Sequence, residues 1–248
     1  MTSSAESCDA PASPLFLTTR WSVVLTAQDA ASPDAVAALE ALCRAYWYPL
    51  YVYVRRSGHD SHDAQDLTQE FFARLLEKGW LNSADQERGR FRTFLIVALK
   101  RFLAREWHRE MTQRRGGGFT FLDLDTAAAE LRYAREPELA ADQAFERRWA
   151  MLLLEQTMDR LQAEYERLGR AAQFPALKTW LSAERREIPY ADLAAQLGCA
   201  EGNARVAVHR IRKRFRELFR ATVAETVSGP EEIDAEMQHF ATVIARGV

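Results

Sequence analysis

Apolar residues recur at helical spacing along most of this chain. Ala64, Leu67, Phe71 and Leu75 form a stripe, widened by Phe72 and Leu76, that predicts a helix over 63 to about 78. Phe94, Leu95, Ala98, Leu99, Phe102 and Leu103 predict another over 92 to about 109. Upstream, Thr18 or Thr19 can cap a short helix carrying Trp21, Val24 and Leu25. Ser32-Pro33-Asp34 then opens a helix that runs to about residue 56, with proline at its first position. Its inward face is read as Val36, Leu39, Leu42, Tyr46, Leu50 and Val54, and Pro49 is expected to kink or divide it. Downstream, Phe145, Trp149, Leu152, Leu153, Met158 and Leu161 predict a long helix over 139 to about 168, and a short one follows over 174–181. No stretch sustains period-two alternation of β-branched residues, so no strand is expected and the fold class is all-α.

The polar positions separate these helices by charge. Asp66, Gln69, Glu70 and Ala73 share a polar, acidic face on the helix that starts at 63, with Asp63 and Asp66 in its first turn, where carboxylates suit the helix dipole. The next segment is the opposite: from Arg88 to Arg115 there are nine Arg or Lys against two Glu. Arg88, Arg90, Arg92, Lys100, Arg101, Arg105 and Arg109 lie among Phe91, Phe94 and Trp107. Basic charge holds a phosphate backbone, and aromatics set between the charges can stack on unpaired bases.

A second basic constellation follows Ile188. Pro189 starts a helix, Tyr-Ala-Asp-Leu-Ala-Ala-Gln-Leu, that Gly198 ends, and a three-residue turn leads to a long helix from Glu201. Four residues before Gly198 stands the small Ala194, and Leu193, Leu197, Cys199, Ala204 and Ala207 occupy the packing positions of a helix-turn-helix. Asn203, Arg205, Val206, His209 and Arg210 are then left to face a groove, with Arg212, Lys213 and Arg214 further along. From Glu201 to Arg220 seven Arg or Lys stand against two Glu, the footprint of a helix that enters the major groove of duplex DNA.

With 248 residues and a formal net charge of −2, the chain is no polycation; its charge is segregated rather than large. Its 3 cysteines, Cys8, Cys43 and Cys199, form no CxxC pair, so neither a disulfide framework nor a zinc knuckle is expected. The first fourteen residues are small and polar and lack the regions of a signal peptide, and no apolar run reaches the length of a membrane span. Gly116-Gly117-Gly118 and the acidic, alanine-rich stretch after it read as a flexible or partly ordered linker. The expected plan is a disordered tail (1–14), a helical domain (15–112), the linker (113–138), a second small helical domain with the helix-turn-helix (139–220), and a C-terminal helical extension (221–248). In that extension Ile233, Met237, Phe240 and Ile244 share one face, for packing over the second domain, its expected role, or for binding a regulator.

The stretches DAQDLTQEFFARLLEK, GRFRTFLIVALKRFLAREWHR and IPYADLAAQLGCAEGNARVAVHRIRKRFREL together resemble the extracytoplasmic-function (ECF) group of bacterial RNA polymerase sigma factors, over about residues 34–112 and 145–220. Ala45-Tyr46-Trp47-Tyr48-Pro49-Leu50 is similar to the first helix of the family's second conserved region. The resemblance implies a cytoplasmic, non-enzymatic protein without cofactor or metal. It implies that Asp66, Gln69 and Glu70 contact the β′ clamp helices of core RNA polymerase. Arg88, Arg90, Arg92, Lys100, Arg101 and Arg105 would melt and read the −10 element of promoter DNA. Asn203, Arg205, His209, Arg210, Arg212 and Lys213 would read the −35 element. An anti-sigma factor is a further candidate partner. The chain departs from the family at Lys100-Arg101, where Asn often follows a basic residue, at Phe174-Pro175-Ala176-Leu177, which replaces a Leu-Pro and Arg signature, and at Val206 and Ala207, where polar residues are common. Two other readings stay open: a helix-turn-helix regulator that acts without polymerase, and a metal-dependent hydrolase using His59, His62, Asp63 and Asp66.

Overall fold

The computed structural model describes residues 21–29, 31–110 and 126–245. The expected tail, the Thr18 and Thr19 caps and the three linker glycines lie outside them. The described chain is all-α, with no strand. Its helices are α1 (Trp21–Gln28), α2 (Ala35–Arg56), α3 (Ser61–Glu77), α4 (Phe91–Glu110), α5 (Thr126–Tyr133), α6 (Ala141–Arg167), α7 (Phe174–Lys178), α8 (Tyr190–Leu197), α9 (Glu201–Ala224) and α10 (Ile233–Ala245).

Two apolar cores organise them. The first joins Tyr46 and Leu50 of α2, Phe71 of α3, Leu99 and Phe102 of α4, Trp149 and Leu153 of α6, Phe219 and Val223 of α9, and Phe240 of α10. The second joins Leu161 of α6, Leu177 of α7, Leu193 and Ala194 of α8, and Ala204, Val208 and Ile211 of α9. The apolar positions of α6 and α9 continue at helical spacing from one core into the other, so these two long helices belong to both. Polar contacts clasp them side by side: Arg160 pairs with Glu225 at 2.6 Å, and Arg214 Nε donates to Glu164 at 2.7 Å. The two groups of helices that the sequence separates are thus packed on each other.

The later part of the expected linker is fastened down. Within it α5 buries Ala129, and Glu130 accepts from Tyr51 Oη and from Arg55 Nε, the latter at 2.9 Å. Arg55 and Arg56 lie over the Tyr133 ring at 4.6 and 4.9 Å. Elsewhere α2 runs through Pro49 undivided, with Pro49 buried, and Val36 faces solvent at 75% exposure rather than the core. Val36 sits between the buried Ala35 and Ala38, on the outward side of the first turn of α2. The last helix, α10, packs on α6 and α9 through Phe240 and Val243.

Candidate nucleic-acid interface

α3 begins where Asp60 caps it, the carboxylate accepting from the Asp63 amide at 2.8 Å. That bond holds the Asp60 carboxyl below its ordinary range. The predicted stripe of Ala64, Leu67, Phe71 and Leu75 is buried. Of the three predicted acidic-face residues, Asp66 is exposed and lies 3.2 Å from His62. Glu70 is half-exposed and bound to Arg74, which also reaches Glu106 at 2.6 Å. Gln69 differs from expectation: it is buried, as is Ala73, because α3 packs against both α2 and α4 and the flank of its stripe is covered.

Gly79, at φ 59°, turns the chain out of α3 into two short 3-10 turns, 80–83 and 86–88. Gln28 Nε2 pins this segment by donating to the carbonyls of Leu81 and Ala84, each at 2.8 Å. Gly89, at φ 121°, then redirects it into α4. Between the turns and α4 lies an open groove of about 600 Å³ lined by Trp80, Arg88, Arg90, Phe94, Arg101 and Arg105, among others. Four of the six predicted basic residues are therefore gathered around one concavity with three aromatic rings, Trp80, Phe94 and Phe102. Trp107, 60% exposed, stands further along the same helix.

The other two lie elsewhere. Lys100 is held at 2.6 Å by Asp142 of α6, and that hydrogen bond raises its pKa. Arg92, expected at the interface, is only 3% exposed. Its guanidinium stacks 3.8 Å over the Trp149 ring and binds Glu146 at 3.0 Å and Glu236 of α10. Phe91, read as an interleaved aromatic, is core, edge-on to Trp21 and Tyr46. Sequence reasoning missed Trp80, whose signal was an aromatic beside a turn glycine. It also missed Glu236, which reads as an ordinary first-turn acid of the last helix.

In the second constellation α8 and α9 meet at a tight turn. Gly198 takes the left-handed conformation, φ 63° and ψ 38°, which a side chain rarely adopts. The amide after it, of Cys199, closes back on the Ala194 carbonyl at 3.0 Å. Leu193, Ala194 and Ala204 are buried between α8 and α9, with Leu197, Cys199 and Ala207 packed beside them. Asn203, Arg205, Val206, His209, Arg210 and Lys213 are exposed. Arg205 lies 4.2 Å over the Tyr190 ring and pairs with Glu201 at 2.6 Å. Arg212 departs from expectation. It is partly covered and donates to the Trp180 carbonyl at 2.8 Å and to the Ala183 carbonyl, tying the chain after α7 to α9.

Among the described residues no cluster of three or more His, Cys, Asp or Glu is arranged to hold a metal ion. No described helix is long and apolar enough to cross a membrane.

Residues 42–112, which span α2 to α4 and the groove, match the family of sigma-70 region 2. The match supports a sigma-70 family factor with a role in transcription initiation, a class that acts with RNA polymerase and promoter DNA and is in general non-enzymatic. No curated protein and no solved structure matches the chain.

Proposed function

We propose that this chain is an ECF-type sigma factor that binds core RNA polymerase, melts promoter DNA and directs initiation from specific promoters. The observation that carries the reading is the groove. Inside the sigma-70 region 2 match, four arginines and three aromatic rings line one open concavity, which suits a phosphate backbone with unpaired bases. Arg88, Arg90, Arg101 and Arg105 take the −10 strand, with Trp80 and Phe94 as stacking surfaces. Asp66, with Glu70 beside it, offers an acidic face to the polymerase β′ clamp helices. α9 presents Asn203, Arg205, His209 and Arg210 to the −35 duplex, while Lys213 meets its phosphates. The protein works in the cytoplasm, where polymerase is, and an anti-sigma factor remains a candidate partner. A polymerase-independent regulator would use α8 and α9 but leaves the groove and the acidic face without a role.

In vitro transcription with core polymerase on a genomic library tests this, followed by permanganate footprinting on an active promoter. Arg101→Ala with Arg105→Ala should reduce melting more than polymerase binding, whereas Asp66→Arg should weaken polymerase binding. Absence of transcription from every fragment, with polymerase binding intact, would sink the reading.

A further inference from the structure

The last helix places a buried carboxylate against the mouth of the groove. Glu236 has no solvent exposure. One of its oxygens binds Arg92 Nη1; the other lies 2.8 Å from Arg90 Nη2, an ion pair without hydrogen-bond alignment. Glu146 of α6 takes Arg92 from another side at 3.0 Å and also meets His239 at 3.0 Å. Two arginines thus face two carboxylates, so the cluster is neutral apart from the imidazole. Just before α10, Ser228 Oγ donates to the Gln86 carbonyl at 2.6 Å and holds the turn that carries Arg88. Every one of these partners is remote in sequence from the groove.

We propose that α10 is an intramolecular latch on the groove: Glu236 takes up the charge of Arg90 in the packed chain, and single-stranded DNA entering the groove displaces it. The proposal rests on reading the groove as a site for unpaired DNA. A phosphate approaching Arg90 meets an arginine already compensated, beside a carboxylate of its own sign. Arg101 and Arg105 lie outside this cluster and are exposed. A second argument is geometric. Elements at −10 and −35 are about 25 base pairs apart, or about 85 Å of B-form duplex. Asn203 lies only about 24 Å along α9 from Phe219, which shares a core with Phe91 at the start of α4. Engaging both elements at once therefore needs α9 and α10 to move away from α4, and that motion parts Glu236 from Arg90.

The test uses the full chain and a fluorescein-labelled single-stranded oligonucleotide of mixed sequence, with anisotropy read over a salt series. Glu236→Gln should bind several-fold more tightly, with a salt slope steeper by about 0.7, as expected when Arg90 is free to neutralise one more phosphate. Gln86→Cys with Ser228→Cys, in a chain whose Cys8 and Cys199 are serine, should bind more weakly oxidised than reduced. This pair decides the matter if Glu236→Gln does not fold. Arg101→Ala reports on the groove itself. If it leaves affinity unchanged, the groove is not a DNA site and the reading beneath the proposal fails. If Arg101→Ala weakens binding while the oxidised and reduced pair, or folded Glu236→Gln and wild type, bind equally, the latch alone is overturned.

Discussion

The molecule carries two basic surfaces, and they hold their charge in different ways. Along the basic stretch that ends in α4, three counter-charges come from far along the chain, Glu236 to Arg90, Glu146 to Arg92 and Asp142 to Lys100, while Arg88 meets the neighbouring Asp85. On α9 several come from the same helix: Glu201 to Arg205 four residues on, Glu217 to Lys213 and to Arg214. A local pair persists as long as its helix does, and exposed pairs of this kind contribute little. A remote pair exists only while the helices that bring it together stay packed. The charge that Arg90 presents to the groove is therefore a function of tertiary packing, whereas Arg205 and Lys213 are paired within their own helix and Arg214 is held both ways, by Glu217 and by Glu164 of α6.

The largest expected effect comes from cutting the remote set. Arg92→Ala leaves the buried Glu236 and the part-buried Glu146 without that guanidinium and removes the stack on Trp149. The expected cost is about 3–5 kcal/mol in urea unfolding, against less than about 0.5 kcal/mol for exposed Arg101→Ala. Equal losses for the two would erase the distinction between core and groove arginines.

A smaller effect separates roles within α9. Arg205→Ala should barely change stability, but it should alter sequence preference on duplex DNA and cost about 1–3 kcal/mol if Arg205 leaves Tyr190 for a bidentate base contact. Lys213→Ala should weaken all duplexes alike and lower the salt slope by about 1. Salt-dependent binding of the full chain to promoter and scrambled duplexes checks this, and identical behaviour of the two variants would reduce α9 to an electrostatic anchor.

The smallest effect is on pH. Burial opposes ionisation of Glu130, but the hydrogen bonds from Arg55 and Tyr51 prevail and lower its pKa from the ordinary 4.5. Arg214 lowers that of Glu164 likewise. A depressed carboxylate contributes stability that is fully present above its unfolded value and lost as pH falls through its folded one. The urea midpoint should thus hold steady from neutrality down to about pH 5 and fall below about 4.5. Glu130→Gln should start lower and flatten that fall; a slope unchanged by the substitution would show that the Glu130 carboxylate does not hold α5.

What could be read from the sequence follows the same division. The turn between α8 and α9 was legible because its determinants lie within a few residues of one another: Gly198 at the turn, Ala194 and Ala204 at the close approach. The stripe of α3 was legible for the same reason. Arg92 and Arg101 were not distinguishable, since both are basic residues of one amphipathic helix. Their fates are decided by Trp149, Glu146 and Glu236, which arrive from α6 and α10. Arg212 likewise looks like a groove residue until the carbonyls of Trp180 and Ala183 come within its reach. A period shows which side of a helix is apolar; it does not show which distant element will cover the other side.

The shared helices leave the molecule without a clean place to be cut. A piece beginning near residue 139 would carry Phe145, Trp149, Leu153, Phe219 and Phe240 stripped of the α2 to α4 side of their core. Such a fragment exposes a broad greasy face and should self-associate. The amino-terminal piece, deprived of the same face, should be sticky in a complementary way. Mixed together, the two pieces should find each other, so that a severed chain restores its fold by reassembly rather than surviving as two independent bodies.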